Sequence, residues 1–260
     1  MEKVTNEIFR LKVPFDTNYT SVFYVKTESG LLIFDAATYD SDVTDYIVPK
    51  INELGYKTED VKYIFISHDH ADHSRGLKKL LGFCANATVV AKSEELREKF
   101  KGISFINPED GFEVTKELET VEIPGHTLDS MALFDKRTNT LLTGDCLQLY
   151  GPFGSGDWGS NITYLKEHFE ALSRLKKMDI SRICASHNYH PLGNEYKGDE
   201  ILKAYELCVK PLMEIKEFIN ENPCLDDSEL AKLYNKREVP NVGPWVFKAI
   251  REYKGSIEIK

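Results

Sequence analysis

No run in this chain is apolar for long enough to cross a bilayer, so a membrane-spanning protein is not expected. The opening residues, Met1-Glu2-Lys3-Val4-Thr5-Asn6-Glu7, lack the apolar centre of a secretory signal. There is no C-x-x-C pair. Cys84, Cys146, Cys184, Cys208 and Cys224 are odd in number and dispersed, which argues against a disulfide framework and for a reduced, cytoplasmic setting. Basic charge is also short: 33 Lys and Arg face 42 Asp and Glu, for a net charge of −9. That balance opposes contact with a polyphosphate backbone, so nucleic acid is not an expected partner. A small-molecule partner is expected instead, with self-association into a homo-oligomer left open. No low-complexity tract or short-period repeat interrupts the chain.

What remains is an ordinary globular composition, 42% apolar and 29% charged over 260 residues, ample for a sizeable core. Apolar runs at 22–25, 31–34, 63–67, 88–91, 120–123, 131–134, 140–143 and 182–186 read as strands. Between them lie helical patterns at 42–54 (bent at Pro49), 77–83, 93–100 and 161–178. From 199 onward three helices are predicted and no further strand, the last opening with Pro244 at its first position. Strand and helix alternation predicts a layered α/β fold. The division expected is a body over 1–192 and a helical C-terminal extension over 193–260 packed on it.

One segment stands out from this background. Ser67-His68-Asp69-His70-Ala71-Asp72-His73 places three imidazoles and two carboxylates directly behind the apolar strand Tyr63-Ile64-Phe65-Ile66. Such a cluster costs desolvation unless a cation sits among the groups. On a tight loop His68 and His70 can face one locus while Asp72 and His73 face its neighbour, a layout for two ions. Three more segments end a strand, or precede one, with a metal-competent residue: Pro124-Gly125-His126-Thr127, Thr143-Gly144-Asp145 and Ser186-His187. Loops at strand ends gather reactive groups because the sheet fixes their positions.

The series H-x-H-x-D-H, P-G-H-T, T-G-D and S-H, in that order, resembles the metallo-β-lactamase-fold superfamily over about residues 18–190. The resemblance implies an αββα sandwich of two facing mixed sheets flanked by helices. It implies a first metal on His68, His70 and His126, and a second on Asp72, His73 and His187. Asp145 would bridge both, so Asp72 and Asp145 are the carboxylates assigned to catalysis, and Asp35 would support the site from behind. Two divalent ions are implied: imidazole-rich ligation suits Zn2+, with Mn2+ or Fe as alternatives. Histidine at position 70 departs from the flavo-diiron branch, which has glutamate there.

Bound metal lowers the pKa of water to about 7, and two ions can share the resulting hydroxide while polarising a carbonyl. The activity implied is hydrolysis of a small ester, thioester, lactone or amide by metal-bound hydroxide. The helical C-terminus is similar in architecture to the glyoxalase II branch. The alternatives are a small-molecule phosphodiesterase, a mononuclear-iron persulfide dioxygenase and a metal-binding sensor without turnover. Around the site, Tyr150, Tyr189 and His190 are candidate proton donors or substrate contacts. The glycine-spaced 151–159 segment is expected to cover substrate with Phe153 and Trp158. His168 is assigned to packing or surface, Asp69 to anchoring its loop, and Cys146 and Cys184 to the core.

Overall fold

The computed structural model of the chain describes residues 1–153 and 156–257. The α/β fold expected from the alternation is present, built on two large mixed sheets with helices and a helical C-terminal region. The first sheet has seven strands in chain order: β1 (Glu2–Lys3), β2 (Ile8–Phe15), β3 (Asn18–Thr27), β4 (Gly30–Phe34), β5 (Val61–Phe65), β6 (Thr88–Val90) and β7 (Phe105–Ile106). β3 and β4 pair antiparallel, and β4 through β7 run parallel. Val22 to Val25 and Leu31 to Phe34 are wholly buried, as unbroken apolar strands covered on both faces should be. On one face Leu31, Ile33 and Ile64 pack with Val43, Ile47, Ile51, Leu77 and Leu80 from the helices. On the other, Phe34 stacks on Phe65 at 5.1 Å and meets Phe23 edge-on at 5.8 Å.

The second sheet is assembled from β8 (Glu113–Thr115), β9 (Leu118–Glu122), β10 (Met131–Asp135), β11 (Thr140–Leu142), β14 (Arg182–Tyr189) and β15 (Gly193–Lys197), in the order β15-β14-β11-β10-β9-β8. A separate antiparallel pair is formed by β12 (Gly151–Phe153) and β13 (Gly156–Trp158). The helices are α1 (Val48–Glu53), α2 (Ala71–Ser74), α3 (Leu77–Phe83), α4 (Glu94–Lys99), α5 (Leu165–Leu175), α6 (Asp199–Glu221), α7 (Asp227–Tyr234) and α8 (Pro244–Glu252). By its contacts the chain divides into two compact units. One holds Met1–Phe15, Tyr19–Glu122 and Met131–Thr138; the other holds Asp16–Asn18, Ile123–Ser130 and Asn139–Lys260.

Several expectations need correcting. The chain beyond residue 193 is not free of strands, because Gly193–Lys197 pairs antiparallel with β14. Its sequence, Gly-Asn-Glu-Tyr-Lys, has one buried residue in five, so hydrogen bonding to a neighbour makes the strand rather than apolar pattern. The predicted helix at 161–178 begins only at Leu165. Thr163 and Tyr164 donate their backbone N–H groups to Gly125 O at 2.9 and 3.0 Å, which ties the irregular stretch before α5 to the His126 turn. The bend expected at Pro49 appears as a change of winding, with wide i→i+5 turns over Asp42–Ile47 giving way to α1. Pro49 has no N–H to bond back with, and the Ile47 carbonyl accepts from Tyr24 Oη at 2.7 Å.

Candidate metal centre

The first set of site residues is organised by Asp35. This carboxylate ends β4 with a left-handed backbone (φ 65°) and has no exposed surface. Its Oδ1 accepts the Ser67 N–H at 2.8 Å, and its Oδ2 accepts the Ser67 hydroxyl at 3.0 Å and faces His73 Nδ1 at 2.7 Å. Burial pushes the Asp35 carboxyl above its ordinary value, and His73 with the two Ser67 donors acts in the opposite sense. Ser67 Oγ lies 3.0 Å from His68 Nδ1, so one serine ties two of the histidines to one carboxylate.

The histidine rings then cluster tightly. His68 lies 4.6 Å from His70 and 4.2 Å from His73, measured between ring centres. Asp72 Oδ2 accepts the Thr20 hydroxyl at 3.2 Å and faces His73 Nε2 at 3.2 Å. Asp69 acts through its backbone: its carbonyl accepts from Ser74 Oγ at 2.8 Å, which anchors the one-turn helix α2. Gly76 makes the packing possible. A Cβ there would stand 2.1 Å from the Ala36 carbonyl oxygen, so only glycine lets the 71–76 turn settle on the residues that follow Asp35.

The second set is centred on Asp145. Its Oδ1 lies 3.2 Å from His187 Nε2 and its Oδ2 lies 3.9 Å from His126 Nε2. The buried Tyr189 hydroxyl donates to Asp145 Oδ1 at 3.2 Å, which assigns this tyrosine to orienting the carboxylate. His126 Nδ1 is 2.9 Å from Asn161 O. A carbonyl only accepts, so Nδ1 carries the proton and the ring's lone pair sits on Nε2, toward Asp145. Phe153 meets the His187 ring edge-on at 5.2 Å. His187 lies inside β14, not after it, since the strand runs on to Tyr189.

These donors fit a divalent metal. With its Nδ1 proton given to Asp35, His73 likewise turns the Nε2 lone pair to a carboxylate. A lone pair facing a carboxylate repels it unless a cation stands between them. Two ligands placed 2.0–2.1 Å from a tetrahedral ion are about 3.3 Å apart, close to the 3.2 and 3.9 Å separations seen here. His68, His70, Asp72, His73, His126, Asp145 and His187 are all metal-competent groups.

The metallo-β-lactamase superfamily family model matches residues 16–187. The chain belongs to the metallo-β-lactamase superfamily. Among its relatives is the beta-lactamase-like protein 2 homolog of Caenorhabditis elegans, 25% identical over 195 residues. That match covers 72% of this chain and 63% of the relative, so the chain spans less than two thirds of that curated protein. A solved metallo-β-lactamase family protein from Thermus thermophilus superposes with a TM-score of 0.68 at 18% identity, over 96% of this chain and 92% of that one. The flavodiiron protein from Giardia intestinalis gives 0.63 at 16% identity, over 79% of this chain and 57% of its own. At such identities the two structures show the shared fold.

Within this superfamily chain several site neighbours could not be read from sequence. Thr20, Gln148, Asn161 and Trp245 belong to no motif, and their contacts span 13 to 84 residues. His168 packs; it is not at the surface. It is buried in α5 with its ring against Gly125, where a Cβ would come within 2.7 Å of it. Tyr150 meets the exposed His190 with tilted rings, 5.5 Å between their centres. Within the 151–159 segment β12 and β13 pair antiparallel, and Gly154 and Ser155 lie outside the described residues. Among the described residues no helix is long and apolar enough to cross a membrane.

Proposed function

We propose that the protein is a dinuclear metal-dependent hydrolase acting on a small ester, thioester, lactone or amide. His68, His70 and His126 would hold one ion, Asp72, His73 and His187 the other, with Asp145 between them. The observation that carries this reading is the aim of Asp145, which turns one carboxylate oxygen to His187 and the other to His126. Superfamily membership across 16–187, which includes every one of these residues, supports it further. Zn2+ is the ion proposed, on the strength of five imidazoles among seven donors.

Divalent ions, when bound, supply Lewis acidity and bring the ionisation of water near neutral pH. The chain's own groups do the rest. Asp35 and the Asn161 carbonyl fix imidazole tautomers, Tyr189 holds the Asp145 carboxylate, and Phe153 shields His187 from water on one side. The substrate proposed is a small molecule. A cavity of about 610 Å3, lined by Tyr150, His190, Leu207, Arg237 and Val242 among others and by none of the seven proposed ligands, has the size such molecules need. The segment 193–260 is proposed as an extension that supports this side of the catalytic body.

The test is metal content followed by a substrate panel. Two divalent ions per chain and turnover of acyl esters, thioesters or lactones are expected. Asp145→Ala is expected to lose more than the roughly 10–100-fold that removal of an outer partner costs. Full activity in Asp145→Ala would overturn the assignment. Turnover confined to bis-p-nitrophenyl phosphate would move the activity to phosphodiesters.

A further inference from the structure

Trp245 combines two properties that rarely go together. It is 51% exposed, so it buries little, yet its indole N–H is aimed at Asn161 Oδ1, 84 residues away in sequence. Asn161 in turn has its polar groups committed in three directions. Its N–H donates to Gln148 Oε1 at 2.9 Å, its side-chain oxygen accepts from Trp245, and its carbonyl faces the His126 Nδ1–H at 2.9 Å. The residue lies in an irregular stretch between β13 and α5, where no helix or strand ladder fixes the plane of its peptide.

The start of α8 is itself held in register for this contact. Asn241 N donates to Asp157 O at 2.7 Å and Gly159 N to Asn241 O at 2.8 Å. Asn235 brackets Val242 with its side chain, accepting its N–H at 2.9 Å and donating to its carbonyl at 3.1 Å. A Cβ on Gly243 would lie 2.3 Å from the Trp245 ring, so glycine lets the indole fold back over the backbone toward Asn161.

We propose that the C-terminal helix sets the orientation of His126 through Asn161, with Trp245 and Gln148 as positioning residues for metal binding. The proposal rests on reading His126 as a ligand. The indole and the glutamine amide grip Asn161 from two sides and leave its carbonyl one direction to face. That direction keeps the His126 proton on Nδ1 and the lone pair of Nε2 on the metal side. Loss of either grip lets the peptide turn, and the imidazole then samples orientations that do not ligate.

Trp245→Phe keeps an aromatic ring and removes only the donor. Gln148→Leu removes the acceptor, and Gln148→Glu restores one. Metal affinity is measured by competition with a chromophoric chelator, and site geometry by the visible absorption of the Co2+-loaded protein. Trp245→Phe and Gln148→Leu are expected to weaken one ion roughly 10–100-fold and to alter the Co2+ spectrum. The exposed α8 control Lys248→Ala should match the parent protein, and Gln148→Glu should recover affinity relative to Gln148→Leu. Affinities within twofold of the parent in Trp245→Phe and Gln148→Leu, with an unchanged spectrum, would overturn the positioning role. His126→Ala separates the two levels: if it leaves both ions bound as before, the ligand reading itself falls.

Discussion

His168 shows how a residue outside every motif can be bound to the site. Burial, with a smaller contribution from His126, drives its pKa from 6.5 down to about 4. The folded state therefore favours the neutral ring, and the unfolded chain binds the extra proton as pH drops below 6.5. The stability this preference supplies is complete above pH 6.5 and is lost as pH falls toward about 4. At 1.36 kcal/mol per pH unit the loss is on the order of 3 kcal/mol. Urea unfolding of the parent and His168→Gln from pH 7 to 4 should show the parent losing more stability by about that amount. Parallel curves would refute the assignment. Legibility at this scale followed sequence distance. Residues 68–73 lie side by side, and their chemistry is evident from their types alone. Asp35, just past the apolar run 31–34, takes its supporting role from the family resemblance and not from its own surroundings in the sequence. Asn161 and Trp245 act through a carbonyl and an indole N–H across 35 and 84 residues, and no local pattern encodes such a pairing.

Elements matter here for what they bring into reach. The 71–76 turn carries Asp72 and His73 and rests on the chain after Asp35, where the Ala36 N–H donates to His73 O at 2.8 Å and the Gly76 N–H to Ala37 O at 3.1 Å. In Gly76→Ala the new methyl meets a backbone oxygen that cannot rotate away. We expect a loss of at least about 2 kcal/mol in denaturant unfolding, together with weaker metal binding. A variant as stable as the parent would show that the turn can shift without cost. The elements missed from sequence share a cause. β2 reads poorly because Arg10 interrupts its apolar pattern, yet Arg10 is wholly buried, lying over the Phe23 ring at 5.2 Å and paired with Glu2 at 3.4 Å. β15 is polar and exists through its pairing to β14. Strands defined by partners leave little trace in their own residues.

For the molecule as a whole, metal binding to the folded state and not to the unfolded chain must raise stability. At a free ion concentration 100 times Kd the gain is about 2.7 kcal/mol, or roughly 5–10 °C for a chain of this size. Thermal unfolding with Zn2+ and with a chelator should differ by that margin, reversibly on re-addition. An identical midpoint in both would argue against tight binding. The α/β class was legible because buried strands and amphipathic helices alternate, and the helical C-terminus because its strand signals nearly stop. What the alternation could not convey is that the last helix reaches back. Thermodynamic linkage makes that reach reciprocal: whatever ion tightens His126 also tightens the docking of α8, and by the same factor. A half-exposed indole at the junction, one of two tryptophans in the chain, makes this coupling optical as well as energetic. Ion binding is therefore expected to shift the emission of Trp245, and an emission unchanged by the ion would count against the coupling.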